Sequence, residues 1–176
     1  LFKKLRSDNT AIINIDNNYG KNIIKTIKSK VITYGFNNKA TIYPTKIKYS
    51  INGIKASIMI KGISINIHSH LIGSYNLLNI MASIGSAIVL NIPVEHIING
   101  IHNLESIPGR MEKINSPYLG NYFIDYAHTP DAFLNIFSAL KIIVNKDHKI
   151  ITVFGCGGNR DAIKRPMMGK IASEYS

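Results

Sequence analysis

Tyr122-Phe123-Ile124-Asp125-Tyr126-Ala127-His128-Thr129-Pro130 is an apolar strand pattern that runs straight into polar residues and a helix start. The same transition recurs downstream. Lys149 to Phe154 reads as a strand, and Gly155-Cys156-Gly157-Gly158-Asn159-Arg160-Asp161 follows it, then Lys164-Arg165-Pro166. Strand, intervening helix and second strand together span about 30 residues, the size of a βαβ unit. Thr129 is placed to cap the helix, with Pro130 at its first position, where a missing N–H costs nothing. Phe133, Ile136, Phe137 and Leu140 give that helix one apolar face. Pro166 starts a further helix. In an open α/β sheet, ligands bind at the carboxyl ends of the strands, where both polar turns fall.

Upstream, the periodicity divides the chain. Thr10 to Ile15 reads as a buried strand ending at Asp16-Asn17-Asn18, Asn22 to Ser29 as a short helix, and Val31 to Tyr34 as a second strand. From Ala40 to Ile72 the pattern becomes short alternating runs separated by Asn52-Gly53 and Lys61-Gly62, which predicts antiparallel hairpins. Ser74 to Leu90 then switches to helical spacing, with Leu77, Ile80, Met81, Ile84 and Ile88 on one face. Pro93 opens a second helix with Val94, Ile97, Ile98 and Ile101 inward. Pro108-Gly109 ends this layer and sets a domain boundary, dividing the chain into 1–107 and 108–176. The fold class is α/β.

Several side chains are placed for chemistry. Asp125 ends a strand, where a carboxylate accepts hydrogen bonds from a ribose or caps a turn. Asp131, in the first turn of the next helix, supports the helix dipole. His128 either meets a phosphate or packs on Tyr126. Gly155-Cys156-Gly157-Gly158 resembles a dinucleotide fingerprint poorly, because Arg160 stands where its last glycine belongs. The planar fork of Arg160 suits a carboxylate or a phosphate. Asp161 either orients Arg160 or pairs with Lys164. Cys156 has no base beside it in sequence and reads as a small packed side chain. Arg110 sits at the boundary, either reaching a ligand or exposed as a hinge charge. Asn76 and Asn79 share a helix face, and an asparagine amide matches the edge of adenine; N-terminal capping by Ser74 or Asn76 is the alternative. His68 and His70 alternate on a strand, but two histidines without a third ligand do not make a metal site.

The 176 residues carry a net charge of +11 and are 45% hydrophobic, enough for a real core. The charge admits a phosphate-rich partner. The lysines are scattered among abundant Ile and Asn, however, and no aromatic and basic interleaving of the single-strand-binding kind is present, so nucleic acid is not expected. A single cysteine excludes an intrachain disulfide framework and a cysteine-based zinc site. The N-terminal Leu1-Phe2-Lys3-Lys4-Leu5-Arg6 lacks a signal-peptide pattern. No apolar run approaches the roughly 18 residues of a membrane span. Beginning at Leu1 and stopping at Ser176 inside a helical pattern, the chain reads as an internal piece of a longer, monomeric, cytoplasmic protein.

Five blocks together resemble the Mur ligase family: Asn14-Ile15-Asp16, Tyr75-Asn76-Leu77-Leu78-Asn79, Pro108-Gly109-Arg110-Met111-Glu112, Asp125 to Pro130, and Phe154 to Asp161 with Lys164-Arg165-Pro166. The Asp125 block alone is shared with folylpolyglutamate synthetase; the glycine block narrows the resemblance to the branch that adds the third residue of the peptidoglycan stem. Asn159 stands where that branch more usually has aspartate. The resemblance implies the last part of a central ATPase domain followed by the first part of a Rossmann-like domain that brings the amino acid. It implies ATP and Mg²⁺ as cofactors, and a UDP-N-acetylmuramoyl dipeptide and a diamino acid as partners. Asn79 would face adenine, Arg110 would touch the nucleotide across the hinge, and Asp125 would hold the ribose. His128 would lie near the phosphates as the catalytic residue, and Arg160 would bind a carboxylate of the amino acid. The family's Gly-Lys-Thr/Ser loop, magnesium ligands and modified lysine have no counterpart in the chain, nor does its Asp-Asn-Pro-Arg motif. The 176 residues alone are therefore expected to lack ligase activity. A non-catalytic nucleotide-binding module is the alternative from another class.

Overall fold

The computed structural model describes residues 2–145, 147–158 and 161–176. Its chain contacts separate two compact units, Leu1–Glu105 and Ser106–Ser176.

After a 3-10 turn at Phe2–Lys4, the first unit builds one mixed sheet in the order β1-β2-β3-β4-β5. Its strands are β1 (Thr10–Asn14), β2 (Lys30–Tyr34), β3 (Ile42–Ser50), β4 (Gly53–Ile60) and β5 (Ile63–Ser69). β1, β2 and β3 run parallel, while β3, β4 and β5 form the expected antiparallel meander. β3 runs unbroken past Pro44, because a register shift between Pro44 and Lys46 absorbs the proline. Lys61 and Gly62 both take positive φ, of 47° and 87°, as the tight turn between β4 and β5 requires.

α1 is Asn18–Ile24, four residues earlier than the pattern Asn22 to Ser29 predicts. The reason is local: the Asn17 side chain accepts the Gly20 N–H at 3.0 Å and starts the helix there. Asp16, just before it, accepts the Phe36 N–H at 2.9 Å and so closes the loop that follows β2.

α2 (Ser74–Val89) lies on β1, β2 and β3 and buries Leu77, Ile80, Met81, Ile84 and Gly85. With Ile42, Ile54 and Ile58 these make the core, each large side chain contributing about 1.5–3 kcal/mol over its exposed state. α3 (Val94–Asn103) packs on β5 and buries Ile97 alone. Val94, read from the sequence as inward, is the first residue of α3 and is exposed.

In the second unit, β6 (Glu112–Ile114) pairs antiparallel with β7 (Tyr122–Ile124). α4 (Pro130–Ile143) has Thr129 as its cap, accepting the Ala132 N–H at 3.3 Å, with Pro130 in its first turn. α5 is Lys164–Tyr175. The two helices pack through Phe133, Phe137, Met168 and Ala172, with Tyr175 stacked on Phe137 at 5.3 Å. One expectation fails here. Residues 149–154 form no strand, and Ile151 and Val153 are 87% and 95% exposed. An apolar alternating run has strand propensity, but a strand exists only through a ladder, and no described residue pairs with this one.

The fit of α1 onto β1 gives a sharp test. A Cβ on Gly20 would fall 1.7 Å from the Asn14 carbonyl oxygen, whereas one on Gly100 in α3 would meet open space. Helix propensity favours alanine at both positions by up to about 1 kcal/mol. Urea unfolding should therefore show Gly100→Ala stabilised by a few tenths to about 1 kcal/mol, and Gly20→Ala destabilised by about 2 kcal/mol, the clash outweighing propensity. Equal midpoints for the two variants would refute the close contact.

Candidate functional site

Asp125 follows directly on β7 and is half-buried. Its Oδ2 accepts the Met111 N–H and its Oδ1 accepts the Ala127 N–H, both at 2.8 Å. Beside them, the Tyr126 N–H donates to the Gly109 carbonyl at 2.8 Å, and the Gly109 N–H donates to Glu112 Oε2 at 2.8 Å. These bonds tie Gly109–Glu112 to Asp125–Ala127. The segment turns back on itself through positive φ at Gly109 (67°) and at Met111 (45°). The second is an uncommon conformation for a methionine, held by its bond to Asp125 and by burial of its side chain. The carboxylate thus has its turn-forming role. A carboxylate offers about four lone-pair sites, so acceptor capacity for two further donors remains.

His128 is exposed, and its Nδ1 lies 3.0 Å from the Tyr126 carbonyl oxygen. That oxygen only accepts, so Nδ1 is the donor and Nε2 is left for another partner. The ring also stands edge-on to Tyr126 at 5.3 Å, the packing read from the sequence as the alternative to phosphate contact. Lys164 reaches the His128 carbonyl at 3.1 Å rather than pairing with Asp161, and Arg165 donates to the Gly158 carbonyl. The N-terminus of α5 is thereby stitched to both polar loops.

Glu112 and Lys164 carry structural parts that spacing did not assign. Each stood within a quoted block, but its partner lies on another loop, which sequence distance does not reveal. Arg110 is exposed on the turn that Asp125 fixes. Arg160 lies outside the described residues. Cys156 is half-buried with its sulfur 3.7 Å from that of Met168, in keeping with a packed side chain.

In the first unit, Asn76 is only 1% exposed and donates through Nδ2 to the Ile72 carbonyl at 2.8 Å. It does not cap α2: the capping position is Gly73, at φ 95°, with no side-chain bond. The helix-face pairing does hold, since Asn79 Nδ2 lies 3.4 Å from Asn76 Oδ1. Buried Asn76 is fixed to the preceding loop, and Asn79 is exposed. His68 and His70 share a face as their spacing requires, and the ring of His102 joins them at 5.2 and 5.4 Å. Among the described residues no group of three or more His, Cys, Asp or Glu is arranged to hold a metal ion, and no helix is long and apolar enough to cross a membrane.

Comparison with known proteins places this geometry. Residues 1–87 match the Mur ligase middle domain, and residues 109–176 match the Mur ligase, glutamate ligase domain. The UDP-N-acetylmuramoyl-L-alanyl-D-glutamate--2,6-diaminopimelate ligase of Clostridium perfringens (strain 13 / Type A) is 41% identical over 187 residues, covering 99% of this chain and 37% of that protein. A solved structure of a ligase of that name superposes with a TM-score of 0.69 at 31% identity, covering 95% of this chain and 35% of that one. Folylpolyglutamate synthetase from Lactobacillus casei superposes with a TM-score of 0.71 at 18% identity, over 94% of this chain and 40% of that one, and so shares the fold. The chain spans about a third of the length of the curated relatives it matches. Matched by one domain of a single family over its first part and by another over its second, the chain belongs to the Mur ligase family.

Proposed function

We propose that the chain is part of an ATP-dependent ligase that adds the third amino acid, meso-diaminopimelate, to UDP-N-acetylmuramoyl-L-alanyl-D-glutamate in peptidoglycan synthesis. The observation that carries this reading is likeness to diaminopimelate ligases along nearly the whole chain. Likeness to folylpolyglutamate synthetase, the runner-up, is lower in identity and reaches only the fold. The two units are read as the later part of the central domain (1–107) and the earlier part of the Rossmann-like domain (108–176).

ATP supplies the phosphoryl group that converts the dipeptide's terminal carboxylate into an acyl phosphate, with ADP as the leaving group; the amine of the diamino acid then attacks the acyl carbon, and inorganic phosphate leaves as the amide forms. Asp125 holds the ribose. Its carboxylate is fixed by the amides of Met111 and Ala127, so a ribose hydroxyl meets an acceptor whose orientation is already set. Asn79 offers its exposed amide to adenine, and Arg110 contacts the nucleotide from the turn beside Asp125. His128 directs Nε2 toward the phosphates while the Tyr126 carbonyl holds Nδ1. Arg160 clamps a carboxylate of the incoming amino acid bidentately. Among the described residues no group of three or more His, Cys, Asp or Glu is arranged to hold a metal ion, and no step here is routed through magnesium. We further propose that the 176 residues alone do not catalyse amide formation, because they hold no phosphate-binding Gly-Lys-Thr/Ser loop.

Steady-state kinetics of the full-length ligase test the assignments. Arg160→Ala should raise KM for the amino acid about 10- to 100-fold and leave KM for ATP within about twofold. Equal effects on both would remove its role. Asp125→Asn keeps the size but loses the charge and one acceptor, so KM for ATP should rise about tenfold while KM for the amino acid holds. Unchanged nucleotide affinity in a folded variant would contradict the ribose contact.

A further inference from the structure

The meander of the first unit has a solvent face with an unusual charge pattern. The register sets Lys48 of β3 opposite Lys55 of β4, and Lys55 opposite His68 of β5. The next row on the same face is Lys46, Ser57 and Asn66. α3 closes one side with Ile98, Asn99 and His102, forming an open groove of about 660 Å³ that no Asp or Glu lines. His70 lies beside it, its ring 5.4 Å from those of His68 and His102. The acid of α3, Glu95, is seven residues before His102, about 10 Å along the helix axis.

Like charges directly opposite on neighbouring strands repel. Among the described residues no salt bridge neutralises Lys46, Lys48 or Lys55. Lysines commonly guard sheet edges against strand addition. That role does not explain Lys55, because β4 is flanked on both sides by β3 and β5. An arrangement that concentrates positive charge on a concave surface, with hydroxyl and amide groups beside it, is suited to an anion with several oxygens.

We propose that this groove binds a condensed phosphate group, free or carried by a nucleotide, through Lys48, Lys55, His68 and His102, with Lys46, Ser57 and Asn66 beside them. The site lies wholly within the first unit and does not rest on the ligase reading. It takes protons as it fills. Burial against the sheet, with Lys55, His102 and His70 nearby, holds the His68 imidazole below its ordinary range in the free protein. A bound anion reverses the repulsion and raises that value. Binding is therefore coupled to proton uptake and strengthens as the pH falls through the histidine range.

The full chain is titrated with pyrophosphate, and separately with ADP, at about pH 6 and about pH 8, with the imidazole C–H NMR signals of His68, His70 and His102 as the readout. Both ligands should move these signals with saturation, and affinity should be about tenfold higher at the lower pH. Response to both ligands means that phosphate is recognised, and response to ADP alone means that the nucleoside is read too; either keeps the site. The double variant Lys48→Gln, Lys55→Gln, altered only at exposed positions, should weaken binding about tenfold or more. His68→Gln in β5 should reduce the pH dependence and gives a second test should the double variant not fold. Signals that move with neither ligand, or binding that the folded variants leave unchanged, would overturn the proposal.

Discussion

Two backbone amides, those of Met111 and Ala127, converge on one carboxylate, and the candidate site of the second unit depends on that convergence. A charge-assisted bond from each side holds Asp125 at the end of β7 and pins the Gly109–Glu112 turn against the Asp125–Ala127 turn. Met111 keeps a left-handed backbone that costs on the order of 1–3 kcal/mol, and it does so because the amide it presents is the one Asp125 accepts. Removing the carboxylate would release the strained turn, the exposed Arg110 carried on it and the path into α4 together. A rigid acceptor at a strand end is also what ribose binding asks of a protein, so the ribose contact proposed for Asp125 would use the same arrangement that holds the turn.

The first unit solves a different problem. Its sheet is buried on one face by α2, whose small Gly85 lets Ile12 and Ile42 come close. On the other face, the alternation that buries Ile54, Ile58 and Ile60 turns Lys55 outward. The period-two pattern that makes the core thus also makes the basic groove. Lysines that look scattered along the sequence stand in rows once β3, β4 and β5 are in register.

What was legible in the sequence followed from local physics. Thr129 and Pro130 mark the start of α4, the spacing of Leu77, Ile80, Met81 and Ile84 marks the buried face of α2, and Asn52-Gly53 with Lys61-Gly62 marks the hairpins. Each signal acts within a few residues. What stayed hidden depends on distant partners. The shift of α1 comes from the Asn17 side chain, which competes with a weak apolar pattern. The missing strand at 149–154 had the right residues and no ladder. Proximity in sequence offers Asp161 as one partner for Lys164, yet Lys164 bonds to the carbonyl of His128, 36 residues away. Asp125 and His128 were recognisable as a block, but that Asp125 first holds the chain together appears only when Met111 is brought against it.

The most direct test of the account is phosphate release by the full-length protein supplied with ATP, UDP-N-acetylmuramoyl-L-alanyl-D-glutamate and one amino acid at a time. The account predicts release that requires the UDP-linked dipeptide and is fastest with meso-diaminopimelate, with amide product accumulating in step. Release driven instead by a folate and glutamate, with none from the UDP-linked dipeptide, would contradict it.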